Sequence, residues 1–139
     1  MKLKVIGGVC LLLTILIIGC EDEQSIDFKR YYAEGSVVYQ THCQNCHGEK
    51  GQGLAALIPP LTDTAAFKAN GKLSLPCIIQ NGLQEKITVA GKQFEGNMPP
   101  VGLTPIEVAQ AVIYVSNSFG NKNGFKSADK VNSALNNCR

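Results

Sequence analysis

Apolar and polar positions divide the chain into a lead segment, a polar stretch and a succession of short amphipathic pieces. Tyr32, Gly35, Val38 and Tyr39 recur at separations of three, three and one, which predicts a helix with one apolar face over Lys29–Thr41. Gly35 costs such a helix stability, so its presence there points to a close contact. Thr104-Pro105-Ile106-Glu107 is a helix start, with Thr as N-cap, Pro at the first position and Glu as the reciprocal capping partner. Ile106, Val108, Ala109, Val112, Ile113 and Tyr114 then furnish a broad buried face, and the helix should end near Asn117, before Gly120.

Shorter pieces lie between and after these two. Asp63 to Ala69 predicts a two-turn helix, and Ser74-Leu75-Pro76 opens another that runs through Cys77, Ile78 and Ile79 to Asn81-Gly82. Ile87 to Phe94 alternates weakly around a glycine, the pattern of a small hairpin. Ser127 to Asn136 reads as a last short helix. The fold class is therefore all-α, with at most one small hairpin.

The lead segment has a different character. Lys2 and Lys4 precede an uncharged, mostly apolar run from Val5 to Ile18. This fits a signal-peptide core and falls short of the ~20 residues a bilayer span needs. Its ending, Ile17-Ile18-Gly19-Cys20, resembles the lipobox of bacterial lipoproteins, in which the Cys is acylated and becomes the first mature residue. Residues 1–19 are read as a signal peptide, and residues 20–27 as a lipidated Cys20 and an acidic tether. The globular domain is expected from Phe28 to Arg139. An uncleaved short anchor is the alternative; both readings put the domain outside the cytoplasm, on a membrane facing the periplasm or cell exterior.

Composition sharpens the picture. A chain of 139 residues makes one compact domain. Aromatic residues are 6% of it and Trp is absent, so a core of protein alone would be modest and a large apolar cofactor would change that. Without Lys2 and Lys4, 11 basic residues face 11 acidic ones, which gives no support for a nucleic-acid partner.

The spacing of the six cysteines sorts them into different tasks. Cys10 lies in the signal and Cys20 is the lipid site. Cys43-Gln44-Asn45-Cys46-His47 carries the chemistry: two thiols on one helical turn can each add across a vinyl group of haem, and the following His then meets the iron. A thioredoxin-like pair would want a βαβ context, which the helical Tyr31-to-Thr41 segment does not offer. A structural zinc site would want a second ligand pair, whereas Cys77 and Cys138 stand apart and the other His, His42, adjoins Cys43.

A low-spin haem needs a sixth ligand. Besides the initiator the chain has one Met, Met98, in a loop of Gly96, Asn97, Pro99 and Pro100, and its thioether is the expected ligand. An open or His-ligated site is the alternative.

These features resemble those of the class I c-type cytochromes over residues 31 to about 118. The resemblance implies a cytochrome c fold, with helices packed around one covalent haem c. Gly35 and Tyr39 fall where the family places the Gly and aromatic that touch the C-terminal helix. Tyr114 matches the aromatic across that contact, with Ala111 smaller than is usual there. Pro59-Pro60-Leu61 resembles the family's Pro-x-Leu, which implies that the Pro59 carbonyl accepts the ring N–H of His47, with Pro60 the alternative. The stretch Ile87–Pro99 resembles members found beside oxidases, dehydrogenases and reductases. A C-terminal extension from about residue 119 departs from the small soluble members. It contains Cys138, and Cys77 is the unassigned thiol left to pair with it; a disulfide or two separate thiols are both open.

The function expected is one-electron transfer without catalysis, with redox proteins as partners. Lys50, Lys68, Lys72, Lys86 and Lys92 are candidates for a positive rim that steers an acidic partner, or are ordinary solvated lysines. The alternative function is a haem sensor or small ligand-binding domain with an open sixth position.

Overall fold

The computed structural model describes residues 23–64, 73–124 and 127–138. The lead segment with Cys20, all but the first two residues of the predicted 63–69 helix, Lys68 and Lys72 lie outside the described residues. The described elements are α1 (Glu23–His42), α2 (Gln44–His47), α3 (Leu75–Asn81), β1 (Ile87–Val89), β2 (Lys92–Phe94), α4 (Pro105–Ser116) and α5 (Ala128–Leu135). No helix among the described residues is long and apolar enough to cross a membrane.

The frame is the packing of α1 on α4. Gly35 is buried at the crossing, where a Cβ would overlap the Gln110 carbonyl oxygen and lie 2.8 Å from the Tyr114 Cβ. The glycine costs helix propensity and in return lets two backbones meet. Around it the rings of Tyr32 and Tyr39 pack on Tyr114 at 5.1 and 5.4 Å between centroids. Phe119 closes the cluster against Tyr39 at 5.0 Å. Gln110 donates to the Glu34 carboxylate across the same contact. Ala111, buried in the core beside this crossing, also lines the cavity described below.

α1 begins earlier than its periodicity predicts. Residues 23–27, expected as irregular tether, form its first turns. Asp27 accepts from Arg30 at 3.1 Å, an i,i+3 pair, and Phe28 stacks on Tyr32 at 5.7 Å. Local pairs of this kind extend a helix outward even where no apolar stripe shows in the sequence.

α4 is capped as predicted: the Thr104 side chain accepts from the Glu107 amide while the Glu107 carboxylate accepts from the Thr104 amide. Val108, Ala109, Ala111, Val112, Ile113 and Val115 are all buried. A helix apolar on nearly every side is a central one. α4 meets α1, α3 and α5. Full burial of a Val or Ile side chain is worth about 1.5–3 kcal/mol relative to exposure, so α4 dominates the core.

β1 and β2 pair antiparallel, Ile87 opposite Phe94 and Val89 opposite Lys92, and the pair turns its Val89 and Phe94 inward. The extension after α4 folds back. Val131 on α5 is buried, and Cys138 is joined to Cys77 of α3 by a disulfide.

Candidate cofactor site

α1 runs into the five residues Cys43–His47 with little interruption. The Cys43 amide bonds the Tyr39 carbonyl at 2.9 Å, and the His47 amide bonds the Cys43 carbonyl at 2.9 Å. The two thiols and the imidazole therefore sit on one helical turn, Cys43 as the N-cap of α2 and Cys46 and His47 within it. Tyr39, buried in the α1–α4 contact, donates its hydroxyl to the Gly48 carbonyl at 2.6 Å and so fixes where that turn ends. Burial pushes the Tyr39 hydroxyl up to about 12, so it remains a donor.

The loop that follows turns back under His47. Gly53 N–H donates to the His47 carbonyl at 2.8 Å and Leu61 N–H to the Gly51 carbonyl at 2.7 Å. This brings the Pro59 carbonyl to 3.2 Å from His47 Nδ1. A carbonyl only accepts, so Nδ1 carries the proton and Nε2 keeps its lone pair. His47 is buried, and burial holds its pKa below the ordinary imidazole value against the opposing pull of the Pro59 bond. A neutral imidazole with a fixed tautomer is the form that binds a metal.

Cys43, Cys46, His47 and Pro59 all line a cavity that opens to solvent. Ile58 and Leu61, then Leu75, Ile78 and Ile79 of α3, Phe94, and Ala111 and Val115 of α4 supply apolar walls. Gly96, Asn97, Met98 and Pro99 complete the lining.

The residues fit a haem. The cavity is apolar and holds an imidazole nitrogen with a free lone pair. Two cysteines outside any disulfide stand beside it, Cys46 exposed and Cys43 partly buried. The same thiols suit other chemistry poorly. Desolvation, then the proximity of Cys46, pushes the Cys43 thiol up to about 11, opposite to the depressed value of a redox-active pair.

The Met98 loop owes its position to backbone contacts. Leu83 and Met98 exchange two N–H···O bonds of 2.8 Å, and Val101 N–H donates to the Ile79 carbonyl at 3.3 Å. Of the five lysines considered as a rim, Lys86 is paired with Glu95 at 2.5 Å, while Lys50 and Lys92 are exposed. His42 is exposed at the end of α1.

Asn121 is a site-supporting residue with no motif to announce it. Its Nδ2 donates to the Leu61 carbonyl at 2.6 Å and the Val115 carbonyl at 3.0 Å, and its Oδ1 accepts from Thr64 N–H at 3.1 Å. It thereby ties two cavity-lining residues together. Its one sequence signal is its place in a polar, glycine-bounded stretch, which reads equally well as a loop.

Comparison with known proteins gives concordant results. The family model described as Cytochrome c matches residues 32–118. Cytochrome c-552 of Thermus thermophilus is 31% identical over 101 residues, which cover 68% of this chain and 76% of that protein. A second cytochrome c-552, from a further strain of Thermus thermophilus, is also 31% identical over 101 residues and is covered to 68%.

Proposed function

We propose, from the premise that this chain belongs to the cytochrome c family, that it is an exported, membrane-tethered one-electron carrier with His47 and Met98 as axial ligands. Family membership brings a covalently attached haem c and haem-based electron transfer. Bound there, the group supplies a one-electron couple at iron. Cys43 and Cys46 would hold it through thioether bonds, and His47 would ligate through Nε2.

The observation that carries the reading is the bond from His47 Nδ1–H to the Pro59 carbonyl, beside a cavity that Met98 also lines. That bond orients the imidazole and raises its basicity. The thioether is the softer ligand and favours the reduced state. The apolar walls exclude water and lower the local dielectric.

Leu54 and Leu57 support a docking face at the cavity mouth. They are 55% and 64% exposed, and Leu57 also lines the cavity. The partners proposed are membrane-associated oxidases, reductases or dehydrogenases. Acylation at Cys20 would keep the carrier beside them; a Cys20→Ser chain should then leave the membrane fraction.

An optical spectrum of the purified protein tests the site. Low-spin bands with the weak Met-sulfur-to-ferric-iron charge-transfer band are expected. High-spin bands would instead support an open sixth position.

A further inference from the structure

We infer that the C-terminal extension is a brace that positions Met98, acting through the Cys77–Cys138 disulfide and α3. The inference rests on the His47/Met98 reading above and adds to it what holds the Met98 side of the site in place.

Met98 lies in an irregular segment between β2 and α4. Its backbone hangs on α3 and the exit of α3: two bonds to Leu83 and, three residues on, the bond from Val101 to Ile79. The position of Met98 is thus the position of α3. Yet α3 has seven residues, its N-cap Ser74 makes no side-chain cap bond, and the Ser74 hydroxyl is buried without a partner among the described residues. A helix so short does not hold itself in water and takes its stability from packing. Leu75, Ile78 and Ile79 line the cavity, and Leu75 and Ile79 also join the core around α4.

What secures α3 from the other side is the tail. Cys77 is 1% exposed and bonded to Cys138, and Asn81 Nδ2 donates to the Cys138 carbonyl at 3.3 Å. The tail is itself anchored by Val131, buried where α5 packs on α4 and α3. Force applied to Met98 therefore passes through Leu83 to α3, which is held on one side by α4 and on the other by the disulfide to the tail. Cys77 and Cys138 are positioning residues.

The test uses full-length holoprotein carrying Cys77→Ala and Cys138→Ser together. Reduction potential, the Met-to-ferric-iron charge-transfer band and far-UV circular dichroism are followed through a guanidinium titration. The expected result in dilute buffer is a weaker band and a lower potential at unchanged helicity. The band should also disappear at a lower denaturant concentration than the helical signal, with a wider gap than in the wild type. A merely structural disulfide would move both transitions together and leave potential and band in dilute buffer unchanged; that outcome overturns the inference. A wild-type spectrum without the band would overturn the Met98 ligation on which the inference rests, and is visible before any variant is made. Should the double variant fail to fold, amide exchange on the wild-type holoprotein before and after phosphine reduction reads the same link. Leu83 and Met98 amides should exchange faster after reduction while Val108 and Val112 do not; equal rates at Leu83 and Met98 overturn the brace.

Discussion

Replacing Gly82 with Ala should detach the Met98 loop from its support. Gly82 follows α3 with φ 76° and ψ −176°, a region that only glycine occupies readily. Forcing an L-residue into it costs about 1–3 kcal/mol. A Cβ there would also press on the Met98 carbonyl oxygen and stand 2.9 Å from the Pro100 nitrogen. Both are backbone atoms and cannot rotate away, so overpacking adds about 1–3 kcal/mol. One displacement, the Met98–Pro100 segment moving off the exit of α3, relieves both strains, so they do not simply add. The net destabilisation expected is about 2–4 kcal/mol, concentrated in the segment that carries Met98. Guanidinium unfolding gives the total, and the charge-transfer band and potential show where it acts. The variant should keep wild-type helicity while the band fades and the potential falls. Wild-type potential and band, with a stability change under about 0.5 kcal/mol, would refute the claim that this glycine sets the loop.

Met98→Ala should leave the haem covalently attached, since Cys43, Cys46 and His47 are untouched, while the potential falls and the spectrum turns high-spin; mass spectrometry and potentiometry check both halves. Thr104→Ala should cost about 1 kcal/mol in thermal or chemical unfolding, the usual worth of an N-cap. Hydrogen bonds from the Thr104 hydroxyl and amide hold the Glu107 carboxyl below its ordinary pKa. That contribution is complete above the ordinary carboxylate range and is lost as pH falls through the depressed value. The difference between wild type and Thr104→Ala should therefore narrow in acid. A chain begun at Ser25 should keep spectrum and potential, become soluble, and exchange electrons with native membranes more slowly at equal amount; equal rates would remove proximity as the reason for the tether.

The parts of this fold that rest on neighbouring residues were legible in the sequence. The α4 capping box, the α3 start at Ser74-Leu75-Pro76 and the Ile87–Phe94 hairpin are set by residues within a few positions of one another. Gly35 was legible for another reason: a helix-weakening residue in a helical pattern needs a close neighbour to explain it. What escaped reading depends on distant partners. The sequence separations from Asn121 to Leu61 and Thr64, 60 and 57, carry no pattern. Phe119 looked like the start of an appended tail, yet its ring completes the Tyr39–Tyr114 cluster. The early start of α1 escaped because one surface ion pair and one aromatic contact, rather than an apolar stripe, extend it.

The two sides of the cavity are held by different physics, and this determines which fails first. The His47 side closes through short-range bonds: Tyr39 to Gly48, Gly53 to His47, His47 to Pro59 and Leu61 to Gly51. Each spans a dozen residues or fewer, so little loop-closure entropy opposes it. The Met98 side is assembled from α3, Leu83, the loop itself and a tail whose disulfide spans a sequence separation of 61. In the chain-entropy account a cross-link over so long a loop stabilises by about 4 kcal/mol, more than any single bond on the His47 side. The less local half is thus the one that carries a cross-link within the chain. Partial loosening should therefore release Met98 while Cys43, Cys46 and His47 still hold the cofactor. On the proposed His47/Met98 ligation, an electron carrier depends on both ligands staying fixed through each change of iron charge, so its function would be limited by the stability of the Met98 side rather than by that of the whole fold.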